Sequence, residues 1–471
     1  MQHTTESSPL VASAAAAPNV VAEAKTLVRL TGPIIFTLVM EFLPGVVNIV
    51  LVGQMDSPDT KQFVDAASIS TMYINITAMS VGMGMASAMD TLCTQAFGAG
   101  NLHKMGDYLQ GALLGMALTF IPVAFLNWFA EAGLLALGQE PAISALAGDF
   151  TRLSLLGIPC IFVYELLKKM LQAHSIVHPV AAMVVAANAI HVGLGYVLVH
   201  HTALGFYGAA IARTLSYVAL PLMMLPYFAW VPVHRQWDIT WSWATAVAEL
   251  PDFFSFGVPG MLMMMLEWCA FEVLTLMAGV MPDAVVAIGV MSILSQILST
   301  AYLVHCGLSI AATIRIGTLV GANEPGHAKA VMKAAYALCG GCMVVMVAAL
   351  VGLREVLPTL FINDADVVEA AAAVMLFVVP CHVLDGLNAI SQGIFRAMGQ
   401  QAIATVVNGA AFYLVGIPLA AVAAFYFGGG VPGLWVGFTS GSLSACTMYF
   451  VLLCRLDWDK ITNDASARYL E

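Results

Sequence analysis

Residues Gly257–Val280 read GVPGMLMMMLEWCAFEVLTLMAGV, an apolar run whose only charged residues are Glu267 and Glu272. A run of about 20 apolar residues crosses a bilayer as a single helix, and this one is long enough. Stretches of the same character recur along the chain. Of its 471 residues, 60% are hydrophobic and 10% charged, against about 25% charged in a soluble protein. The apolar surplus is lipid-facing and helix-packing surface rather than one oversized core. The 40 glycines and 27 methionines suit close helix contacts and adaptable, polarisable pocket walls.

Hydropathy and breaker residues predict an all-α polytopic membrane protein with about twelve spans. They fall near 31–53, 66–97, 106–128, 146–172, 177–200, 205–230, 250–279, 284–319, 330–352, 368–395, 401–426 and 430–454. Loops hold the breakers, among them Asp56-Ser57-Pro58, Gln139-Glu140-Pro141, Asn323-Glu324-Pro325 and Gly428-Gly429-Gly430. The expected organisation is a disordered cytosolic tail over 1–24, a first six-span lobe over 25–235 and a linker over 236–248. A second six-span lobe over 249–456 and a cytosolic tail over 457–471 follow. The N-terminal residues are rich in Ser, Thr and Ala and lack the basic region of a signal peptide. Lys and Arg gather on the side that bears both ends (Lys25, Arg29, Lys104, Lys168, Lys169 and Arg235, for example), against Lys61, Arg152 and Arg354 opposite. Both termini are therefore expected in the cytosol.

The halves repeat weakly. Phe97-Gly98-Ala99-Gly100-Asn101 after the second span matches Val320-Gly321-Ala322-Asn323 after the eighth. Gly205-Phe206-Tyr207-Gly208 opens the sixth span as Gly430-Val431-Pro432-Gly433 opens the twelfth. The offset is about 223–225 residues in both pairs. Six spans per half in the same order make a parallel repeat, and transporters put their sites at repeat interfaces.

Several function classes are excluded. The net charge of −11 is spread over loops and ends with no basic patch, so nucleic acid is not a partner. No nucleophile elbow, phosphate loop, zinc motif or paired catalytic motif appears, so neither an enzyme nor a metal or cofactor site is expected. Cys339 and Cys342 have redox spacing but sit in a run of small residues, where an interfacial role is expected, with no disulfide. A channel would need a continuous polar lining, whereas the polar residues here form patches.

Those patches are the candidate site. An ionised carboxylate at mid-membrane costs about 2.5–3.5 kcal/mol even on the lenient insertion scale. Glu267 therefore needs a role or a partner. A carboxylate that a proton can neutralise is the simplest coupling element of an ion-driven transporter. Glu272 lies five residues on, about 140° around the helix, so the two acids do not share a face. Asp385, Asn388 and Gln392, spaced i, i+3, i+7, form a polar stripe on one face of the tenth span. The stripe is either part of a site or a hydrogen-bonded helix contact. Ser292, Gln296 and Ser299 share a face of the eighth span, followed by Tyr302 and His305, as a pocket wall or a helix contact. In the first half, Glu41 and Asn48 share a face with Pro44 between them, a hinge or a static kink. Glu165 with Lys168 and Lys169 reads as a local ion pair. Asn188 and His191 form a polar pair. Asp90, Arg315 and Arg396 near span ends are assigned to structure or gating.

At these residues the chain resembles the eukaryotic branch of the multidrug and toxic compound extrusion (MATE) family. The matching segments are Ala86–Ala99 (ASAMDTLCTQAFGA), Leu266–Glu272 (LEWCAFE), Ala311–Ile316 through Asn323, Leu384-Asp385-Gly386 through Arg396, and Gly433-Leu434-Trp435. The resemblance as a whole covers about residues 25–455. The resemblance implies two six-helix lobes arranged as a V. It also implies efflux of organic cations or plant-type secondary metabolites in exchange for protons, by a monomer in a plasma or vacuolar membrane. It makes Glu267 the main protonation and substrate residue and Asp385 its partner. Gln296 stands where some animal-type members carry an acid, and Asn48 where prokaryotic members carry an aspartate. Coupling is thereby concentrated on the second half, with Glu41 as an additional acid of the first. The expected cycle is that the ionised acids attract a cationic or amphipathic substrate and release it on protonation from the far side. Glu272, Gln296, Tyr302, Asn388, Gln392 and Tyr413 are the further substrate-contact candidates. The alternative is a cation-coupled exporter of organic anions or other metabolites.

Overall fold

The computed structural model describes residues 17–362 and 364–469, and they are helical throughout, with no strand. The first half runs α1 (Val20–Gly53), α2 (Thr60–Ile74), α3 (Ser80–Ala86), α4 (Ala88–Gly98), α5 (Leu102–Trp128), α6 (Ala130–Ala136), α7 (Pro141–Leu155), α8 (Ile158–Ala173), α9 (His178–His200) and α10 (Phe206–Trp230). A short α11 (Trp243–Ala248) precedes the second half: α12 (Leu250–Gly279), α13 (Ala284–Gly321), α14 (Pro325–Gly352), α15 (Ala365–Ala397), α16 (Gln401–Asn408), α17 (Ile417–Ala421) and α18 (Gly430–Cys454), with α19 (Trp458–Ala467) beyond it.

Twelve segments follow the expected order, and three depart from a regular helix. The second is broken: a wide π-turn over Asn75–Met79 separates α2 from α3, and the chain breaks again at Ser87, whose hydroxyl bonds the Gly84 carbonyl at 2.6 Å. The fourth bends by 49° between α7 and α8, just before Pro159 in the first turn of α8. A proline there lacks an N–H the helix would not use, so a new helix can start at that point. Between α16 and α18, π-helical turns over Gly409–Gly416 and Val422–Tyr426 flank α17. Gly437 of α18 lies so close to α17 that a Cβ on it would fall on the Ala420 backbone. Only a missing side chain permits that approach.

The weak sequence repeat is a repeat of backbone conformation. Gly100 and Asn323 both take positive φ (75° and 58°), as do Gly205 and Gly430 (49° and 54°). A third pair, Ser175 and Gly399 (59° and 74°), has the same spacing. In the first and third pairs the residue follows a helix, where a positive φ satisfies its last carbonyls and turns the chain, and in the second the glycine opens the next helix; matched reversals mark matched elements.

The chain divides into two compact units, one of Phe36–Met261, the other of the described residues up to Ile35 together with those from Leu262 onward. The boundary expected at 236–248 is therefore not where the contacts change. In the first unit Trp237 is buried beside α5, and the main-chain N–H of Ser242 donates to Gln110 at 2.7 Å. The start of α12 also belongs here, because Gly257 and Gly260 allow it to touch Met85 and Ser87. The first-unit core centres on Phe63, Phe150 and Phe206, with ring centroids 5.0–5.2 Å apart. In the second unit, Phe271, Phe412 and Phe438 stack with centroids 4.4 and 5.1 Å apart. Residues 20–24, expected inside a disordered tail, form the first turn of α1, where Glu23 is paired with Arg315 at 2.9 Å. The first sixteen residues of that expected tail lie outside the described residues.

Candidate functional site

The second unit brings the polar stripe of α15 against the middle of α12. The i, i+3, i+7 spacing turns all three residues inward, and Asp385, Asn388 and Gln392 are each at most 8% exposed. The Gln392 amide donates to Glu267 Oε2 at 3.1 Å. The Ser442 hydroxyl donates to Asp385 Oδ1 at 2.9 Å and the Cys381 thiol to Oδ2 at 3.3 Å. Asn388 donates to the Ser442 carbonyl at 3.2 Å. The two acids are close enough to act on each other electrostatically, and the charge of Arg396, one turn beyond Gln392, also reaches Glu267.

Other side chains hold the α12 backbone around Glu267. Tyr413, on the first π-helical turn, donates to the Leu266 carbonyl at 3.2 Å, and Asn408 donates to the Met263 carbonyl at 3.3 Å. Tyr449 bonds Asn408 in turn at 2.8 Å. A wide π-turn displaces a side chain from regular helical register and is often found at functional sites. Here it sets Tyr413 on the carbonyl that precedes Glu267. Tyr302 lies within electrostatic range of Glu267, Asp385 and Arg396.

The remaining candidates stand apart. Glu272 is half-buried, follows Phe271 in sequence and makes no side-chain hydrogen bond among the described residues; about 140° around the helix, it does not share the face of Glu267. The Gln296 side chain also makes none, and its neighbours Ser292 and Ser299 are exposed, so that face is no closed pocket wall within this unit. Behind the site, His305 and His382 face each other with their Nε2 atoms 3.2 Å apart, and Cys339 is 3.7 Å from His305 Nδ1.

In the first unit, Glu41 is locked rather than free. Lys168 Nζ lies 2.9 Å from Glu41 Oε1 and 2.6 Å from Glu165, and the Tyr164 hydroxyl donates to Glu41 at 2.9 Å. Asp90, read from the sequence as a span-end residue, pairs with Lys169 at 2.8 Å. Asn48 Oδ1 accepts from His191 Nε2–H at 2.9 Å, and Asn188 donates to the Met40 carbonyl at 2.7 Å. The sequence signalled Glu165 with Lys168 as a local pair. It gave no sign of the contact of Lys168 with Glu41, because that contact joins residues 127 positions apart. Ser442 and Cys381 were also missed as partners of Asp385, although Thr439, Ser440 and Ser442 form a hydroxyl cluster within an apolar span that marks it.

The arrangement is one unit with an acid on each of two facing helices and a second unit built on the same repeat. A profile of the MatE family matches twice, over residues 33–197 and 259–422, once in each half. The chain belongs to the MATE family. It is 30% identical to mouse (Mus musculus) multidrug and toxin extrusion protein 2 over 96% of this chain and 78% of that protein. It is 32% identical to protein DETOXIFICATION 16 of Arabidopsis thaliana over 95% and 91%. The crystal structure of the eukaryotic MATE transporter AtDTX14 superposes with a TM-score of 0.90 at 29% identity, covering 96% of this chain and 99% of that one. As a MATE protein the chain is an integral membrane transporter of the multidrug and toxin extrusion type and not an enzyme, on the twelve-helix fold read from its hydropathy.

Proposed function

We propose that this MATE protein is a proton-coupled antiporter that exports organic small molecules, mostly cationic or amphipathic, by alternating access, with Glu267 and Asp385 as its protonation and substrate site. The observation that carries the reading is how these acids are held. Among the described residues neither forms an ion pair, and each is bonded by neutral donors, Gln392 for Glu267 and Ser442 and Cys381 for Asp385. A carboxylate in an ion pair loses its Coulomb partner when it takes up a proton. One held by an amide, a hydroxyl or a thiol loses no Coulomb partner: the donor to the oxygen that stays a carbonyl keeps its bond, and a hydroxyl or thiol on the other oxygen can turn to accept the new O–H. Such a pair can be negative while it holds a cation and neutral when it releases one. The aromatic Tyr302 and Tyr413 supply apolar faces beside it. A charge that moves with the membrane field gains about 2.3 kcal/mol per 100 mV, which is enough to drive export. The same reading makes the protein a monomer with both termini in the cytosol of a plasma or vacuolar membrane.

The test is export of a fluorescent organic cation from proteoliposomes under an imposed proton gradient, and separately under a sodium gradient. Wild type is expected to export with the proton gradient, and Glu267→Gln and Asp385→Asn to fall to the protein-free background. Full proton-driven export by Glu267→Gln would overturn the site. Export driven only by sodium would overturn proton coupling and favour the cation-coupled alternative.

A further inference from the structure

The first unit holds a buried cation with no counter-ion. Arg213 of α10 is 3% exposed. Its Nε–H donates to the Tyr217 hydroxyl at 3.0 Å and its Nη1 to the Thr71 hydroxyl at 3.3 Å, with the guanidinium carbon 5.4 Å from the Tyr217 ring centroid. Those partners are neutral, and among the described residues Arg213 forms no ion pair with any carboxylate. The acid of α1, Glu41, is committed to Lys168. A guanidinium carries five N–H donors, so most of its capacity is unmet. Buried charges are otherwise paired, and a charge within a membrane span is rare unless it serves a site.

A second observation points the same way. His191 of α9 lies within electrostatic range of Arg213 and bonds Asn48 of α1 at 2.9 Å. Asn48 is fully buried, and its Nδ2 has no hydrogen-bond partner. An orphaned buried donor in a native structure calls for an unseen water or ion. Four elements, α1, α2, α9 and α10, thus supply unmet donors on Arg213 and Asn48, against one unpaired acceptor, His191 Nδ1, whose ring donates through Nε2 to Asn48 Oδ1. A water could satisfy Asn48 Nδ2 and His191 Nδ1, but it would leave the Arg213 charge without a counter-charge. An anion accepts from every side and supplies the charge that Arg213 lacks.

We propose that Arg213, Asn48, Thr71 and Tyr217 form a binding site for a small monovalent inorganic anion of the halide class. The site lies wholly in the first unit and does not depend on the role assigned to Glu267 and Asp385.

The test uses the full chain purified in detergent. Its thermal unfolding midpoint is followed at constant ionic strength as chloride replaces gluconate, a much larger anion. Wild type and Glu267→Gln are expected to show a saturable rise. Arg213→Met is expected to show none. Asn48→Leu keeps the cation and removes the orphan donor, so its apparent chloride affinity should fall at least five-fold even if Arg213→Met does not fold. Crystals grown in bromide should carry an anomalous peak in contact with Arg213 and Asn48. A chloride response identical in wild type and Asn48→Leu, or a bromide-grown crystal without that peak, would overturn the proposal. A saturable rise with acetate but not chloride would overturn its halide assignment in favour of a carboxylate.

Discussion

In the first half, Glu41 and Glu165 meet Lys168 and Asp90 meets Lys169. In the second, Glu267 and Asp385 meet an amide, a hydroxyl and a thiol. The two halves share segment order and three matched left-handed turns, yet they compensate buried charge in opposite ways. The second half also has a locked pair, Glu23 with Arg315, but its carboxylate comes from the first turn of α1, far along the chain from Glu267. One scaffold can therefore carry acids fixed in ion pairs and acids held by neutral donors alone, and only the partner type tells them apart. The first half inverts the pattern once more at Arg213, a cation held by hydroxyls.

The contrast can be broken by changing partners. The largest expected effect is that of Lys168→Met, which leaves Glu41 and Glu165 buried together without their cation. Breaking a buried pair in this way costs about 3–5 kcal/mol, and the variant should show a sharply lower unfolding midpoint and yield. Glu41→Gln is expected to cost about 1.5–3 kcal/mol through the lost charged hydrogen bonds. It should still export with full proton coupling in proteoliposomes, in contrast to Glu267→Gln, and loss of coupling would erase the distinction between the halves.

A third prediction concerns a turn that the halves share in shape but not in chemistry. In the first half His174 precedes Ser175, and at the matching place of the second half Met398 precedes Gly399. His174 accepts the Trp237 indole N–H at 2.9 Å, and burial pushes its imidazole down from 6.5 to about 4. The folded state therefore takes up this proton less readily than the unfolded chain. The docking is at full strength above the unfolded value of 6.5 and is lost progressively as pH falls toward about 4. Between pH 7 and 4.5 wild type should lose on the order of 2 kcal/mol more than His174→Gln in thermal unfolding. An equal loss would show that the linker is not held by the neutral ring. The smallest effect is expected for Gln392→Ala, which removes one donor and leaves both acids in place. Proton-driven export should fall about five-fold, or about 1 kcal/mol, with protein yield unchanged.

The amino-acid sequence by itself determined the membrane class, the twelve segments, the two-fold repeat and the family, because each is written in local composition. Apolar length reports a span, a polar stripe at i, i+3, i+7 reports an inward face, and Gly or Asn after a helix reports a reversal. It also singled out Glu267, Asp385, Asn388 and Gln392, since polar residues in apolar helices are visible one span at a time. What only the tertiary structure decided was the company each of them keeps. Glu41 and Glu267 look alike in sequence, each an acid inside an apolar run. Lys168 reaches the one and Gln392 the other from more than a hundred residues away. The break at Ser87, the start of α12 packed within the first unit and the unpaired Arg213 are likewise products of contact between distant segments. Periodicity carries no information about such contacts, because it describes which way a side chain points and not what stands opposite it.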